Sequence, residues 1–145
     1  MYIIRTDKFT YWYNMNIFKA DNTVWFDVDN TLIHHLIGNE EVVVCHNNPF
    51  YYEGLVLIKC PYSDESKYYE INQSHVKLLK NCKSQSKQII VWSAQGWQWC
   101  EVVVKSLKIE DYVDLCIGKP HIIVDDKPLD EWPIANLFLK QGFGK

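Results

Sequence analysis

The stretch Thr23-Val24-Trp25-Phe26-Asp27-Val28-Asp29-Asn30-Thr31-Leu32 decides how this chain is read. Val24, Trp25, Phe26 and Val28 form a short apolar run of β-forming residues, the pattern of a buried strand. The run ends in Asp27, Asp29, Asn30 and Thr31. Alternate strand residues point the same way, so Asp27 and Asp29 can face one small volume just beyond the strand. Two like charges that close raise each other's pKa unless a cation or a basic group compensates. The pair therefore suits Mg²⁺, a hard ion that prefers oxygen. It also suits chemistry in which one carboxylate attacks and the other handles protons. The same residues equally suit a plain turn with an N-cap, and the remaining chain has to decide.

Working outward, three later segments repeat the pattern of apolar run followed by polar residues. Gln88-Ile89-Ile90-Val91-Trp92 runs into Ser93-Ala94-Gln95-Gly96, and Trp97 to Leu107 then has helical spacing, with Trp99, Val102, Val103 and Leu107 as its apolar stripe. A hydroxyl and the N–H groups of a helix N-terminus at that point suit an anion. Asp111 to Ile117 is a weaker strand pattern leading into Gly118-Lys119-Pro120. His121-Ile122-Ile123-Val124 is a fourth, ending in Asp125-Asp126-Lys127-Pro128-Leu129-Asp130. Ser74 to Ser84 reads as a helix with Ser74 as N-cap, and residues 134 to 140 as a short terminal helix. Strands alternating with helices imply a parallel sheet with right-handed crossovers. Ligands of such sheets bind at the carboxyl ends of the strands. Asp27, Asp29, Ser93, Lys119, Asp125 and Asp126 all fall at that end, which favours a site over a set of turns.

Residues 33 to 72 interrupt the alternation. Glu41 to His46 and Leu55 to Cys60 are strand-like, with turn chemistry between them, and Pro61 to Tyr69 reads as loop. This is a β-hairpin or small β-extension inserted directly after the first carboxylates. His34 and His35 read as solvent-facing loop residues. The aromatic residues of positions 1 to 22 read as packing against the body of the domain.

A chain of 145 residues allows a single domain with a real core, spanning positions 1 to 145 with 33 to 72 as its insertion. With a net charge of −3 and its 15 basic residues scattered, stable binding to duplex DNA is not expected. The five cysteines are dispersed, with no Cys-x-x-Cys pair, which points to a reducing compartment and small buried hydrophobes. No stretch approaches the roughly 20 apolar residues of a membrane span, and the N-terminus lacks a signal-peptide core. A cytoplasmic protein with no membrane partner is expected.

Taken together, the residues resemble the four motifs of the haloacid dehalogenase-like hydrolase superfamily: Asp27-Val28-Asp29-Asn30-Thr31, then Ser93, then Lys119 in Gly-Lys-Pro, then Asp125-Asp126-x-x-x-Asp130. They occur in the family's order, each after an apolar run. The resemblance implies a three-layer Rossmann-like α/β fold with helices on both faces and a β-hairpin flap. It implies a phosphomonoester phosphatase in which Asp27 attacks phosphorus and Asp29 acts as general acid and base. Mg²⁺ would bind through the Asp27 carboxylate, the Asp29 backbone carbonyl and Asp125, with Asp126 and Asp130 in support. Thr31, Ser93 and Ala94 would hold the phosphoryl group together with Lys119. The short gap from Ser93 to Lys119 leaves no room for a cap domain there, so an open site is expected. Its substrate is then a phosphorylated small molecule, a nucleotide or the phosphorylated end of a nucleic acid. Trp97 and Trp99 offer stacking for a base or, alternatively, ordinary helix packing. A binding module that keeps the fold without turnover, and transfer to an acceptor other than water, are the competing functions.

Overall fold

In the computed structural model, residues 22–36 and 54–132 are described. The protein is α/β, with a three-stranded parallel sheet and helices, compatible with a Rossmann-like fold. The parallel sheet has the order β1 (Thr23–Asp27), β5 (Gln88–Ser93), β6 (Leu115–Gly118). Trp25 pairs with Ile90 and Asp27 with Trp92, and Ser93 pairs with Gly118. The register therefore brings the carboxyl ends of all three strands level with one another.

Between β1 and β5 the chain builds an antiparallel sheet, in the order β2 (Ile33–His35), β4 (Ser66–Ile71), β3 (Leu55–Lys59). The strand expected at Leu55 is present. Residues 66 to 69, expected in a loop, are strand instead: Lys67 and Tyr69 lie opposite Ile58 and Val56, and Tyr69 is buried. The polar sequence of Ser66-Lys67-Tyr68 hid this, because the strand buries little besides Tyr69. His34 and His35 are likewise strand residues of β2, with His34 buried and His35 exposed. The strand expected at 41 to 46, the terminal helix and the aromatic N-terminal segment up to residue 21 lie outside the described residues.

Helix α1 spans Gln73–Ser84, and its N-cap is Asn72, not Ser74: Asn72 accepts a hydrogen bond from the His75 backbone N–H. Helix α2 spans Trp97–Ser106. Because β1, β5 and β6 are adjacent in that sequence, right-handed crossovers put α1 and α2 on the same face of the sheet. One core cluster agrees, joining Phe26, Val28, Ile89 and Val91 to Val76 and Leu79 of α1 and Cys100 and Val103 of α2. Ile58 and Tyr69 of the antiparallel sheet complete it. Burying such side chains stabilises by about 1.5–3 kcal/mol each. The opposite face carries Trp25, Ile90 and Trp92, with the two indoles edge to face at 4.8 Å.

At the start of β5, Asp114 accepts two bonds from Lys83 Nζ at 2.8 Å and one from the Ile89 N–H. The Asp114 N–H returns a bond to the Ile89 carbonyl. The expected third strand is shorter than its apolar pattern: Glu110–Tyr112 is a 3-10 turn, and pairing begins only at Leu115.

The fourth expected strand is absent. Residues 121 to 124 pair with no strand among the described residues, and Ile122 and Val124 are 74% and 94% exposed. An apolar run fixes a strand only when an edge receives it. Among the described residues β1 has a strand on one side only, and the run does not occupy the other.

Candidate active site

The residue after β1 turns the chain sharply. Val28 is fully buried, which leaves Asp27 and Asp29 on the other side of the backbone. Asn30 has φ of 60°, a left-handed conformation that Asn tolerates better than most residues. Thr31 and Leu32 donate N–H groups to the Val28 carbonyl, closing the turn. Turn chemistry and site geometry thus coexist in the same five residues.

Asp27 is held on both oxygens. Lys119 Nζ lies 2.7 Å from Oδ1, and Thr31 Oγ1 donates to Oδ2 at 3.1 Å. Lys119 reaches it because its own N–H bonds to the Ser93 carbonyl at 2.8 Å, tying the end of β6 to the end of β5. The ammonium also sits 5.4 Å from the Trp92 ring centroid, a cation–π distance.

Asp29 is held differently. Its Oδ2 accepts from Gln95 Nε2 at 3.0 Å and Trp99 Nε1 at 3.2 Å, with Ser93 Oγ at 3.5 Å. Its Oδ1 is buried without a hydrogen-bond partner, although His35 Nε2 approaches to 3.4 Å. That contact lacks hydrogen-bond geometry and is a charge contact only when the imidazole is protonated. His35 in turn meets Tyr69 edge to face at 5.1 Å.

Ser93 is buried and receives the Gln95 N–H on its hydroxyl at 3.1 Å. Ala94 and Gln95, the two turn residues that follow, are exposed. Gly96 begins α2 with φ of 104°, and a Cβ there would lie 2.7 Å from the Tyr62 hydroxyl. Tyr62, in the β3–β4 turn, donates to the Gln95 carbonyl at 2.7 Å, so the hairpin is fastened to the loop beside Asp29. An open cleft of about 630 Å³ lies at this hairpin, lined by Cys60, Tyr62, Ser63 and Val102 and not by the carboxylates. The converging Asp27 and Asp29 side chains are at the strand ends, and the cleft is a separate surface feature.

Five expected site residues therefore converge: Asp27, Asp29, Thr31, Ser93 and Lys119. Asp125 and Asp126 do not join them. Both are exposed, and Asp125 Oδ1 accepts the Lys127 N–H in a local turn. Asp130 lies in an exposed 3-10 turn. Among the described residues, no three His, Cys, Asp or Glu side chains form a group able to hold a metal. Asp125, Asp126 and Asp130 follow a segment that pairs with no described strand, so no sheet register carries them to the first carboxylates. The Asp27 carboxylate supplies hard oxygen donors suited to Mg²⁺, the buried Asp29 Oδ1 has no hydrogen-bond partner, and Asp125 in this position does not complete the set.

Gln95, Asn72 and His75 were not legible as site residues, and Trp99, read as a stacking or packing residue, is buried with its N–H on Asp29. Trp99 follows the expected packing stripe, yet a buried indole N–H needs an acceptor, and that requirement is the signal. Asn72 Nδ2 donates to the Thr31 carbonyl at 3.0 Å, and His75 Nδ1 lies 2.7 Å from the same oxygen. The first turn of α1 thereby fixes the position of Thr31.

No protein-family model, curated protein or solved structure matches this chain. Among the described residues, no helix is long and apolar enough to cross a membrane.

Proposed function

We propose that this protein is a Mg²⁺-dependent phosphomonoester phosphatase of the haloacid dehalogenase-like type. The observation that carries the reading is the pairing of Lys119 with Asp27, beside Thr31, at the same strand ends where Ser93 meets Asp29. An attacking carboxylate, a neutralising ammonium and hydroxyl donors are what phosphoryl transfer requires, since it depends on positioning and charge stabilisation. An Asp27 oxygen attacks phosphorus and the bond to the leaving oxygen breaks, while Asp29 delivers a proton to that oxygen. Asp29 then takes a proton from water as the water attacks the aspartyl-phosphate, releasing inorganic phosphate and restoring Asp27. Lys119 balances the charge gathered on the phosphoryl oxygens, and Thr31, Ser93 and the Ala94 turn hold them. Mg²⁺, bound through Asp27 and Asp29, would supply Lewis-acid charge neutralisation.

We infer further that Ile122-Ile123-Val124 joins the vacant edge of β1 as a fourth parallel strand, giving Asp125 and Asp126 access to the metal. Their exposed apolar side chains support this. The antiparallel sheet then serves as the flap of a three-layer Rossmann-like fold spanning 1 to 145. Substrates are phosphorylated small molecules, nucleotides or nucleic-acid ends, in the reducing cytoplasmic setting that free Cys60, Cys82, Cys100 and Cys116 suit.

The test is phosphate release from p-nitrophenyl phosphate with Mg²⁺, wild type against Asp27→Asn. Turnover only in the wild type supports the reading. The second reading, a binding module without turnover, is favoured by the separation of Asp125 from the other carboxylates. It predicts equal, background signal from both proteins.

A further inference from the structure

Asp27 and Asp29 are separated by one residue, and Lys119 pairs with Asp27. If Asp29 rotated toward Lys119, it would compete with Asp27 for the ammonium and lose its own orientation. Its Oδ2 instead accepts N–H groups from Gln95 and Trp99, at 3.0 and 3.2 Å. The two donors come from different elements, the β5–α2 loop and the first turn of α2. Each is tied down elsewhere, Trp99 through its ring and Gln95 through its backbone. Trp99 is 3% exposed and packs edge to face on Tyr69 at 5.8 Å. Gln95 is steadied through its carbonyl, which accepts the Tyr62 hydroxyl at 2.7 Å. Two N–H donors converging on one carboxylate oxygen favour a single orientation of that group.

We propose that Gln95 and Trp99 are positioning residues for Asp29, pinning its carboxylate away from Lys119 so that Lys119 serves Asp27 alone and Asp29 stays aligned with the leaving oxygen. This role rests on the phosphatase reading above and assigns to it two side chains that never touch the phosphoryl group. Alignment of a proton donor matters most when the leaving oxygen is a poor leaving group. An alkoxide needs its proton as the bond breaks, whereas p-nitrophenolate leaves without one. The geometry therefore ties these residues to the leaving group and not to substrate affinity.

The experiment compares wild type with Trp99→Phe and Gln95→Met, each of which keeps bulk and removes the N–H donor. kcat and KM are measured with Mg²⁺ for p-nitrophenyl phosphate and for an alkyl phosphate. Thermal midpoints are recorded to confirm folding, and a variant that fails to fold is replaced by Gln95→Leu. The expected result is a loss of kcat/KM, which reports the step that breaks the leaving-group bond, at least tenfold greater on the alkyl phosphate than on p-nitrophenyl phosphate. Equal losses of kcat/KM on both substrates, or none, would overturn the positioning role while leaving the phosphatase reading intact. A wild type inactive on both substrates would overturn the two together. A readout independent of turnover is the indole N–H resonance of Trp99, identified by its loss in Trp99→Phe. It shifts in Asp29→Ala if the contact is real, and an unmoved resonance contradicts it.

Discussion

Lys119 Nζ lies 2.7 Å from Asp27 Oδ1, joining the end of the third parallel strand to the end of the first across β5. Roughly a third of each side chain is exposed, so the pair contributes little to stability, about 0–1 kcal/mol. Its value lies in charge placement. Lys119→Met should lower kcat for phosphate release by about 10²–10³-fold, the range seen when one charge-stabilising donor is removed. A melting midpoint near that of the wild type is expected alongside, measured by circular dichroism on the same samples.

Asp114 gives the opposite profile. It accepts from Lys83 and from the Ile89 backbone at the start of β5, the opposite end of the strand from Ser93. Asp114→Ala leaves the Ile89 N–H without its acceptor and should destabilise by about 1–3 kcal/mol. A lower urea midpoint with kcat retained is the expected outcome.

The cysteines should react in a fixed order. Hydrogen bonds from Ser63 and from the Tyr62 backbone lower the Cys60 thiol below its ordinary value. Burial pushes Cys100 up to about 11 and Cys116 up to about 12. The thiolate is the reactive form, so iodoacetamide at neutral pH should label Cys60 well before either of the others. Peptide mapping by mass spectrometry reads the order.

His34 links stability to pH. Burial lowers its pKa from 6.5, against a smaller opposing pull from Glu70. The folded state therefore prefers the neutral ring, and the unfolded chain takes up the proton first as pH falls. This contribution to stability is full above about 6.5 and is lost as pH drops through the folded-state value. Denaturation midpoints at pH 7.5 and 5 should differ more for wild type than for His34→Leu, by the working pH range in which His titrates.

Addition of Mg²⁺ should order the Ile122–Val124 segment. Hydrogen exchange of those amides is expected to slow when Mg²⁺ is added with a phosphate analogue, as the strand gains ladder hydrogen bonds. Exchange unchanged by the metal would separate Asp125 from the site permanently.

The strand-end placement of Asp27, Asp29, Ser93 and Lys119 was legible because each follows an apolar run, and parallel pairing then levels their ends. Ser66 to Tyr69 was not legible, since its pairing depends on β3 and β2 and its side chains alternate only weakly. Ile122 to Val124 shows the converse failure: strong β character in the sequence, with no partner edge engaged. Asn72 and Trp99 were missed for a third reason. Their roles are hydrogen bonds to Thr31 and Asp29, 41 and 70 positions away, and no local pattern encodes such distances.

The most direct measurement is acid quenching of the protein after mixing with Mg²⁺ and a radiolabelled phosphomonoester, followed by peptide mapping. The expected result is a hydroxylamine-sensitive label on the peptide containing Asp27, absent in Asp27→Asn. Phosphate release with the label on another residue, or no label and no release, would contradict nucleophilic attack by Asp27.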